Sequence, residues 1–463
     1  MRRSSWRRRL VAMFAVAAAA ANIGGEAAAQ GFQQAEPIPS TEKKSLTAIE
    51  RSFSPVQPPT LTLFPDARGT MADVPAFFRD SKVEINARSY YRDNVTNKPT
   101  GANVQEAWAA GGWAAVETGR LFEFISGGAV FYTSLPLYAP FGKGNTGLLQ
   151  PDQQGYAVVG QLYGQLHLGD KHTFTAGRYV YDTPFLNQQD NRMTPNTFYG
   201  YVLQGTFGDA EVGPSFRYGG GYIAAMKPRD ADVFTSMSRV AGANVDRGVG
   251  AGGGLMTWGP VSLGVIEYYS QDIINIAYGE GKYGTSLPFG VDAALALQYA
   301  DQRSTGDNLL NGSSFSTGQF GARLQMGRDT GILTAAYTVV DPGFAMQNPW
   351  SFNPFYTDGL IQSFQRAGEN AVLLGVSYDF TPLGLKGIAA AAQYFRGWTS
   401  APAAGAPLVE DEWDFNLEWR PDWKPLSGLW LRARYGLSRT SQNNISTTVD
   451  EVRLTLNYKV NLY

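Results

Sequence analysis

Few side chains in this sequence are suited to acid–base or nucleophilic catalysis. The 463 residues include two histidines, His167 and His172, and no cysteine. Both histidines flank a short Gly169–Lys171 turn, where we expect surface or rim positions. Neither a G-x-S-x-G nor an H-E-x-x-H pattern occurs. The residues of a Ser-His-Asp triad need not be adjacent in sequence. We therefore expect a protein that is not an enzyme, and keep an outer-membrane hydrolase of the protease or lipase type as the alternative.

A glycine-rich stretch, GVGAGGGLMTWG (residues 248–259), superficially suits phosphate binding. No P-loop lysine follows it and no strand–helix–strand pattern surrounds it. We therefore expect these glycines to allow close strand packing or tight bends. The sequence predicts neither a cofactor nor a metal site.

Charged side chains instead recur at every second position of apolar segments. The C-terminal EVRLTLNYKVNLY places Arg453 and Lys459 among polar residues that alternate with valines, leucines and a tyrosine. Arg432 and Arg434 alternate in the same way with Leu431 and Ala433. Successive side chains of a strand point to opposite faces. Each such segment therefore predicts a strand with one apolar face and one polar, partly charged face.

The same period recurs along the chain, in SKVEINARSYYRD, YAVVGQLYGQLHLGDKHTFTAGRYV and EDEWDFNLEWRP among others. The connections between these segments are of two lengths. Gly169–Lys171 and Gly327–Gly331 are tight, whereas Tyr138–Gly155, Thr183–Thr197 and Asp341–Glu369 are long. Short turns at one end and long loops at the other are typical of an outer-membrane β-barrel.

A secreted β-sandwich or solenoid would also show alternating strands. Aromatic residues near strand ends, such as Tyr90-Tyr91, Tyr268-Tyr269 and Trp413, favour the two interfaces of a membrane. In hydrocarbon every backbone N–H and C=O must be paired, so the sheet has to close on itself. We therefore predict an all-β fold, a transmembrane antiparallel β-barrel whose last strand pairs with its first.

The N-terminus reads as an export signal. A basic region with five arginines (Arg2, Arg3, Arg7, Arg8 and Arg9) precedes an apolar run and an A-x-A site ending at Ala29; a short membrane anchor is the alternative. We predict a cleaved signal peptide at 1–29, a Pro-rich segment at 30–76 that is periplasmic or partly disordered, and a barrel over 77–463 in the outer membrane. The net charge of −2 becomes more negative when those arginines are removed, which disfavours nucleic acid as a partner.

Six blocks of sequence, in order, resemble the OprD family of outer-membrane porins. They begin with GRYVYDTPFLNQQDNRMTPNTFYGYVL and FRYGGGYIAAMKPRDADVFTSMSRVAG, continue with YYSQDIINIAYGEGKYG and SFQRAGENAVLLGVSYDF, and end with EDEWDFNLEWRP and DEVRLTLNYKV. The resemblance runs from about Phe77 to the C-terminus. It implies a barrel of about 18 strands, passive uptake of small solutes, and a long inward-folded loop that narrows the lumen.

The resemblance also implies an arginine ladder that guides anionic groups along the lumen wall. The candidates are basic residues on the polar faces of strands: Arg432, Arg434, Arg453, Arg420, Arg323, Arg88 and Lys82. Guanidinium stays charged and binds carboxylates through a fork of N–H groups. The alternative is that these arginines only pair with nearby acids such as Asp414, Glu418 and Glu451. The constriction loop falls either in 182–197, which contains Asp190 and Arg192, or in 138–152. Arg192 either touches the solute or ties the loop to the wall.

Family members that take basic solutes tend to carry an acid just before the RAGE-like segment, where this chain has Ser363. A weaker acidic arm beside a basic wall favours organic carboxylates or amino acids as solutes. The other expected partners are outer-membrane lipid and, during biogenesis, the insertion machinery that recognises the C-terminal strand. Either a monomer or a homotrimer fits this sequence.

Overall fold

The computed structural model describes residues 60–210, 212–399 and 407–463. The predicted signal peptide at 1–29 and the first part of the Pro-rich segment lie outside the described residues. Both therefore stay predictions.

Eighteen antiparallel strands form one closed barrel, which confirms the predicted fold class. Each strand pairs with its neighbours in sequence, and the last pairs with the first, Asn461 opposite Glu84 and Thr448 opposite Asn97. The first nine strands are β1 (Lys82–Lys98), β2 (Gly101–Glu117), β3 (Ile125–Tyr138), β4 (Tyr156–His167), β5 (His172–Tyr179), β6 (Thr197–Gly208), β7 (Ser215–Lys227), β8 (Val249–Trp258) and β9 (Val261–Ser270). The others are β10 (Ile274–Leu287), β11 (Val291–Arg303), β12 (Ser316–Arg328), β13 (Gly331–Val340), β14 (Glu369–Asp379), β15 (Ile388–Thr399), β16 (Leu408–Trp419), β17 (Leu429–Gln442) and β18 (Ile445–Asn461).

The apolar face of each strand is exposed and the polar face is buried. A soluble protein shows the opposite arrangement. On β1, the apolar Ile85 is 48% exposed and its polar neighbour Asn86 is 1% exposed. Large apolar side chains such as Leu324, Leu374 and Trp413 are exposed on the outside of the barrel, whereas many charged side chains of the strands are buried inside it. The alternation read from the sequence therefore sorts outside from inside, with the polar face toward the lumen.

Short turns join the strands at the end of the barrel that carries the start of β1 and the end of β18. Three of the long connections, at the opposite end, enter the lumen. We call them loop A (residues 139–155), loop B (180–196) and loop C (341–368). Loops A and B cover nearly all of the two stretches predicted to form the constriction. Loop C corresponds to the long Asp341–Glu369 connection, which carries the predicted site residue Ser363 and was not assigned to the constriction.

An apolar cluster inside the barrel holds loops B and C. The Phe185 ring of loop B lies 5.9 Å from the Phe355 ring of loop C and 5.9 Å from the Tyr268 ring of β9. The loop C indole of Trp350 donates a hydrogen bond to the Met237 carbonyl at 3.1 Å. Burying such a side chain contributes roughly 1.5–3 kcal/mol, against about 1 kcal/mol for one hydrogen bond. Apolar packing therefore contributes at least as much as a single neutral hydrogen bond to fixing these loops.

Elements outside the barrel are short. Leu61–Thr62 forms a two-residue strand that runs parallel to Val460–Asn461, where β18 extends beyond its partner β17. A second two-residue strand is Thr235–Ser236, and the α-helices are Ala76–Arg79 and Met237–Val240. The 3₁₀ turns are Gly69–Met71, Pro288–Gly290, Thr381–Leu383 and Leu426–Gly428. Within the described residues, no helix has the length and apolar character needed to cross a membrane.

The exposed apolar face should respond to charge as a hydrocarbon-facing surface does. Leu324 points outward near the middle of β12, opposite Leu295 and Ala335. We expect Leu324→Arg to lower the free energy of unfolding by about 2–4 kcal/mol, since the charge enters the apolar band. Urea unfolding in phospholipid vesicles measures this change in the free energy of unfolding.

Leu383→Arg is the matched control, because Leu383 is exposed in a turn beyond the strands. This variant should lose far less stability. Equal losses in the two variants would contradict a lipid-facing outer wall.

Candidate functional site

Four neighbouring strands, β16, β17, β18 and β1, carry the main rows of charge on the lumen wall. The inward positions of β16 are mainly acidic: Glu410, Glu412, Asp414 and Glu418. Those of β17 include Arg432 and Arg434. Arg434 lies opposite Arg453 of β18, which in turn lies opposite Arg92 of β1. Strand closure therefore brings a row of arginines from three strands together, next to a column of carboxylates.

Arg88 anchors loop B to the wall. Its guanidinium donates to the two carboxylate oxygens of Asp190 at 2.5 and 3.0 Å, to the Arg192 carbonyl at 2.6 Å and to the Asn457 side chain at 2.6 Å. The same guanidinium lies 4.9 Å from the centre of the Trp113 ring. All five donors of an arginine suit such a fork-like arrangement. Arg88 and Asp190 are thus brought together as a structural ion pair.

Arg192 joins loop B to loop A. Its Nε donates to the Thr146 carbonyl at 3.1 Å and its Nη1 to the Asn191 carbonyl at 2.8 Å. Among the described residues it forms no ion pair with a carboxylate. Burial, with the positive charge of Arg453 and Arg229, lowers the pKa of Arg192. Because arginine still keeps its proton, this buried cation would be stabilised by an anion placed beside it.

Loop C is tied to the acidic column of β16. The Leu360 N–H donates to Asp414 at 2.8 Å, and the Ile361 and Gln362 N–H groups donate to the two oxygens of Glu412 at 2.8 and 2.7 Å. Arg453 donates to the Leu360 carbonyl at 2.8 Å and also pairs with Glu451. Carboxylates that accept several backbone donors are held in place strongly. These acids therefore position loop C.

A narrow cavity of about 20 Å³ remains between loop B and the arginine-bearing wall. Its lining residues are Arg88, Tyr90, Asp190, Asn191, Arg192, Trp430, Arg432, Arg434, Thr455 and Asn457. That volume is about the room needed by one water molecule. A molecule that enters this cavity would contact these side chains.

Arg434 is the distinctive member of the cavity. Among the described residues it has no hydrogen bond and no ion pair, although Asp414 and Glu451 lie close enough to act on its charge. Its neighbour Arg432 donates to Asn416 at 3.0 Å and lies 5.6 Å from the Trp430 ring. An inward-facing guanidinium with vacant N–H donors is suited to bind a carboxylate.

The other predicted residues lie apart from this cavity. Arg420 follows β16 and is 3.5 Å from Glu418, with its guanidinium over the Trp430 ring. Arg323 is on β12, under Tyr356 of loop C at 4.6 Å. Lys82 is half-buried at the start of β1, opposite Glu117. Ser363 is half-buried in loop C. The predicted set therefore divides into a central group and an outlying group.

Several residues of the site were not picked out from the sequence. Trp430 and Asn457 line the cavity because they occupy inward positions of β17 and β18. Tyr90, which we expected near a membrane interface, is buried and lines the cavity from an inward position of β1. Lys227, at the end of β7, is fully buried and donates to the Pro228 carbonyl at 2.9 Å and to Thr194 of loop B at 3.4 Å. The strand period could have found the first three, but contact between Lys227 and loop B depends on the path of the loop.

The histidines do not assemble a triad. His167 Nε2 lies 2.8 Å from the Ser126 hydroxyl, but its Nδ1 is nearest to a hydroxyl of Thr173 at 3.5 Å. A catalytic histidine needs a group, usually a carboxylate, that orients it from Nδ1. His172 contacts Tyr218 instead. In the part of the chain that the structure describes, no group of His, Asp and Glu side chains could hold a metal ion.

Comparison with known proteins identifies the family. A family model described as outer membrane porin, OprD family, matches residues 75–462. No curated protein sequence matches the chain.

Solved structures of similar fold include three porins from Pseudomonas. OccK9 (OpdG) of Pseudomonas aeruginosa is 22% identical, with a TM-score of 0.74 over 84% of this chain and 100% of that chain. OpdK of P. aeruginosa, solved with vanillate, is 19% identical, with a TM-score of 0.71 over 83% and 100%. A BenF-like porin of Pseudomonas fluorescens Pf-5 is 19% identical, with a TM-score of 0.72 over 83% and 100%. This chain belongs to the OprD family of outer-membrane porins.

Proposed function

We propose that this porin is a selective diffusion channel for small organic carboxylates. The observation that carries the proposal is the inward-facing Arg434, which has vacant donors in a cavity also lined by Arg432 and Arg192. A positively charged constriction in a low-dielectric wall attracts anions and repels cations. Amino acids, which also carry a carboxylate, are the second solute class.

The state of the lumen acids supports anions over basic solutes. Five lumen-facing acids of this sector each accept a hydrogen bond from the protein: Glu410 from Thr440, Glu412 from loop C, Asp414 from loop C, Glu418 from Trp430, and Glu451 from Arg92. These hydrogen bonds weaken the attraction of the acids for a cationic solute. A carboxylate would only have to occupy donors of Arg434 that are vacant.

Passage by this route requires no chemical step. A carboxylate would exchange water for the guanidinium of Arg434 and then of Arg432, two residues and about 6.6 Å further along β17. Because the two contacts are similar, the solute binds neither arginine tightly and can leave. Tyr90 and Trp430 offer ring surfaces beside these cations, and OpdK, a structural neighbour, was solved with the aromatic carboxylate vanillate.

The proposal also includes export of the chain to the outer membrane. The signal peptide expected at 1–29 would direct the chain across the inner membrane, and the apolar outer wall would place the barrel in outer-membrane lipid. The hydrolase alternative has no support beyond the Ser126–His167 contact, whose histidine faces Thr173 in place of an acid.

Arg434→Gln should slow the uptake of an anionic solute. It removes the vacant charge-assisted donors, and loss of such a contact is worth about 1.5–3 kcal/mol, or about tenfold or more in affinity. Liposome swelling with benzoate measures the uptake, and swelling with a neutral sugar of similar size should change little.

The control is Arg328→Gln, which removes an exposed arginine at a turn beside Asp329. It should swell as the wild type does. If Arg434→Gln and the wild type take up benzoate at the same rate, the role given to Arg434 is wrong, even though the barrel is a channel.

The charge of the constriction should also set ion selectivity. In a planar bilayer with a KCl gradient, we expect the reversal potential of the wild type to show preference for Cl⁻ over K⁺. Exchange of both Arg432 and Arg434 for Glu should move that potential toward K⁺. Folded wild-type protein that conducts no current would count against the channel itself, whereas a cation-selective wild type would count only against the anion preference.

A further inference from the structure

The outer wall carries an apolar groove that the transport pathway does not use. The groove has a volume of about 570 Å³ and crosses β14 to β18. Its floor contains the small side chains of Ala390, Ala392 and Ala433, and larger residues such as Phe415 and Tyr435 form its walls. Three alanines among aromatic and branched neighbours leave a depression in a surface that faces hydrocarbon.

A charged site lies on three of these strands, nearer to the long-loop end. Arg396 of β15, Asp411 of β16 and Arg439 of β17 are directly opposite one another across the strands. Arg396 donates to Asp411 at 3.0 Å, and both arginines point outward. Arg439 donates to the Ser446 hydroxyl at 3.2 Å, and Ser446 lies 3.0 Å from the Ser441 hydroxyl.

The acids near Arg439 are hydrogen-bonded to other residues, so the Arg439 guanidinium can bind an anion. Asp411 accepts hydrogen bonds from Arg396 and from Tyr394, the latter at 2.5 Å. The other outward acid, Asp450, accepts from Tyr435 at 2.9 Å. Among the described residues, no carboxylate pairs with Arg439. One exposed guanidinium and two hydroxyls therefore face outward together, a donor set that suits phosphate.

The two features are aligned along the strands. Arg396 lies four residues from the groove residue Ala392 on β15, as Asp411 does from Phe415 on β16 and Arg439 from Tyr435 on β17, in each case toward the long loops. Four residues span about 13 Å, and one leaflet of hydrocarbon is about 15 Å thick. Neighbouring aromatic rings connect the two levels, with Trp413 centred 4.7 Å from Tyr394 and 6.3 Å from Phe415.

We propose that this face binds one phosphate-bearing lipid of the outer leaflet. Its phosphate would lie against Arg439, Ser441 and Ser446, with Arg396 at the edge of the site. One of its acyl chains would run past Tyr394 and Trp413 into the groove above Ala392 and Ala433. The charged end is at the long loops, which face outward in barrels of this kind; this fixes the leaflet.

Native mass spectrometry of the folded protein in mild detergent, titrated with purified lipid A, tests the proposal. The wild type should retain one lipid A. Arg439→Gln, which removes the phosphate donor, and Ala392→Leu, which fills the groove, should each lower the apparent affinity about tenfold. Leucine on the outer wall is compatible with the fold, so loss of lipid by Ala392→Leu would not reflect unfolding.

Two controls separate this site from general adhesion of lipid. Ala114→Leu changes an exposed outward alanine on β2, and Arg178→Gln changes an arginine on β5; both should retain lipid A as the wild type does. Diacylglycerol, which lacks the phosphate, should bind at least tenfold more weakly. Equal retention in all variants, or equal binding of diacylglycerol, would overturn the proposal. So would displacement of lipid A by millimolar inorganic phosphate, which would indicate a headgroup site with no role for the groove.

Discussion

Pairing of the last strand with the first is the constraint on which this structure depends. In hydrocarbon an unpaired strand edge leaves a row of backbone groups without partners, at several kcal/mol for each. Closure of β18 on β1 removes that edge and creates an interior sealed from lipid. The polar side of every strand must then face inward. The arginines of β17, β18 and β1 become neighbours for the same reason, although those of β1 are more than 300 residues from those of β17 and β18 in sequence.

Inside the barrel, charged side chains have two competing uses. Arg88, Arg453, Glu412 and Asp414 hold loops B and C through hydrogen bonds to loop backbone or side chains. Each such contact satisfies a charge that would otherwise be costly to bury. Arg434 is left with vacant donors in the small cavity between loop B and the wall. In the proposed function, selectivity depends on Arg434, a charge that no loop contact uses.

The strand period and the closure argument were enough to predict the barrel, its inward face and the pairing of the last strand with the first. They could not show which charged side chains bind the loops, because that depends on the paths of loops A, B and C. Asp190 and Arg192 were expected in the constriction, yet the Arg88–Asp190 pair and the Arg192–Thr146 bond follow from loop packing. Loop C was expected as a long connection that carries Ser363, but its attachment to β16 was not predicted, because its anchors are backbone N–H groups, which carry no sequence signal. The apolar cluster around Phe185 and Phe355 was missed because apolar loop residues have no period.

The central claim is that the barrel wall has water on its inner side and hydrocarbon on its outer side. Its most direct test uses the absence of cysteine from the chain. Single cysteines at two adjacent positions of β17, Ala433→Cys and Arg434→Cys, should differ in reactivity in a planar bilayer. A water-soluble, negatively charged methanethiosulfonate should modify position 434 and change the current, while position 433 should react only with a lipid-soluble maleimide. Equal modification of both positions by the charged reagent, or of neither, would contradict a wall with water on one side and hydrocarbon on the other.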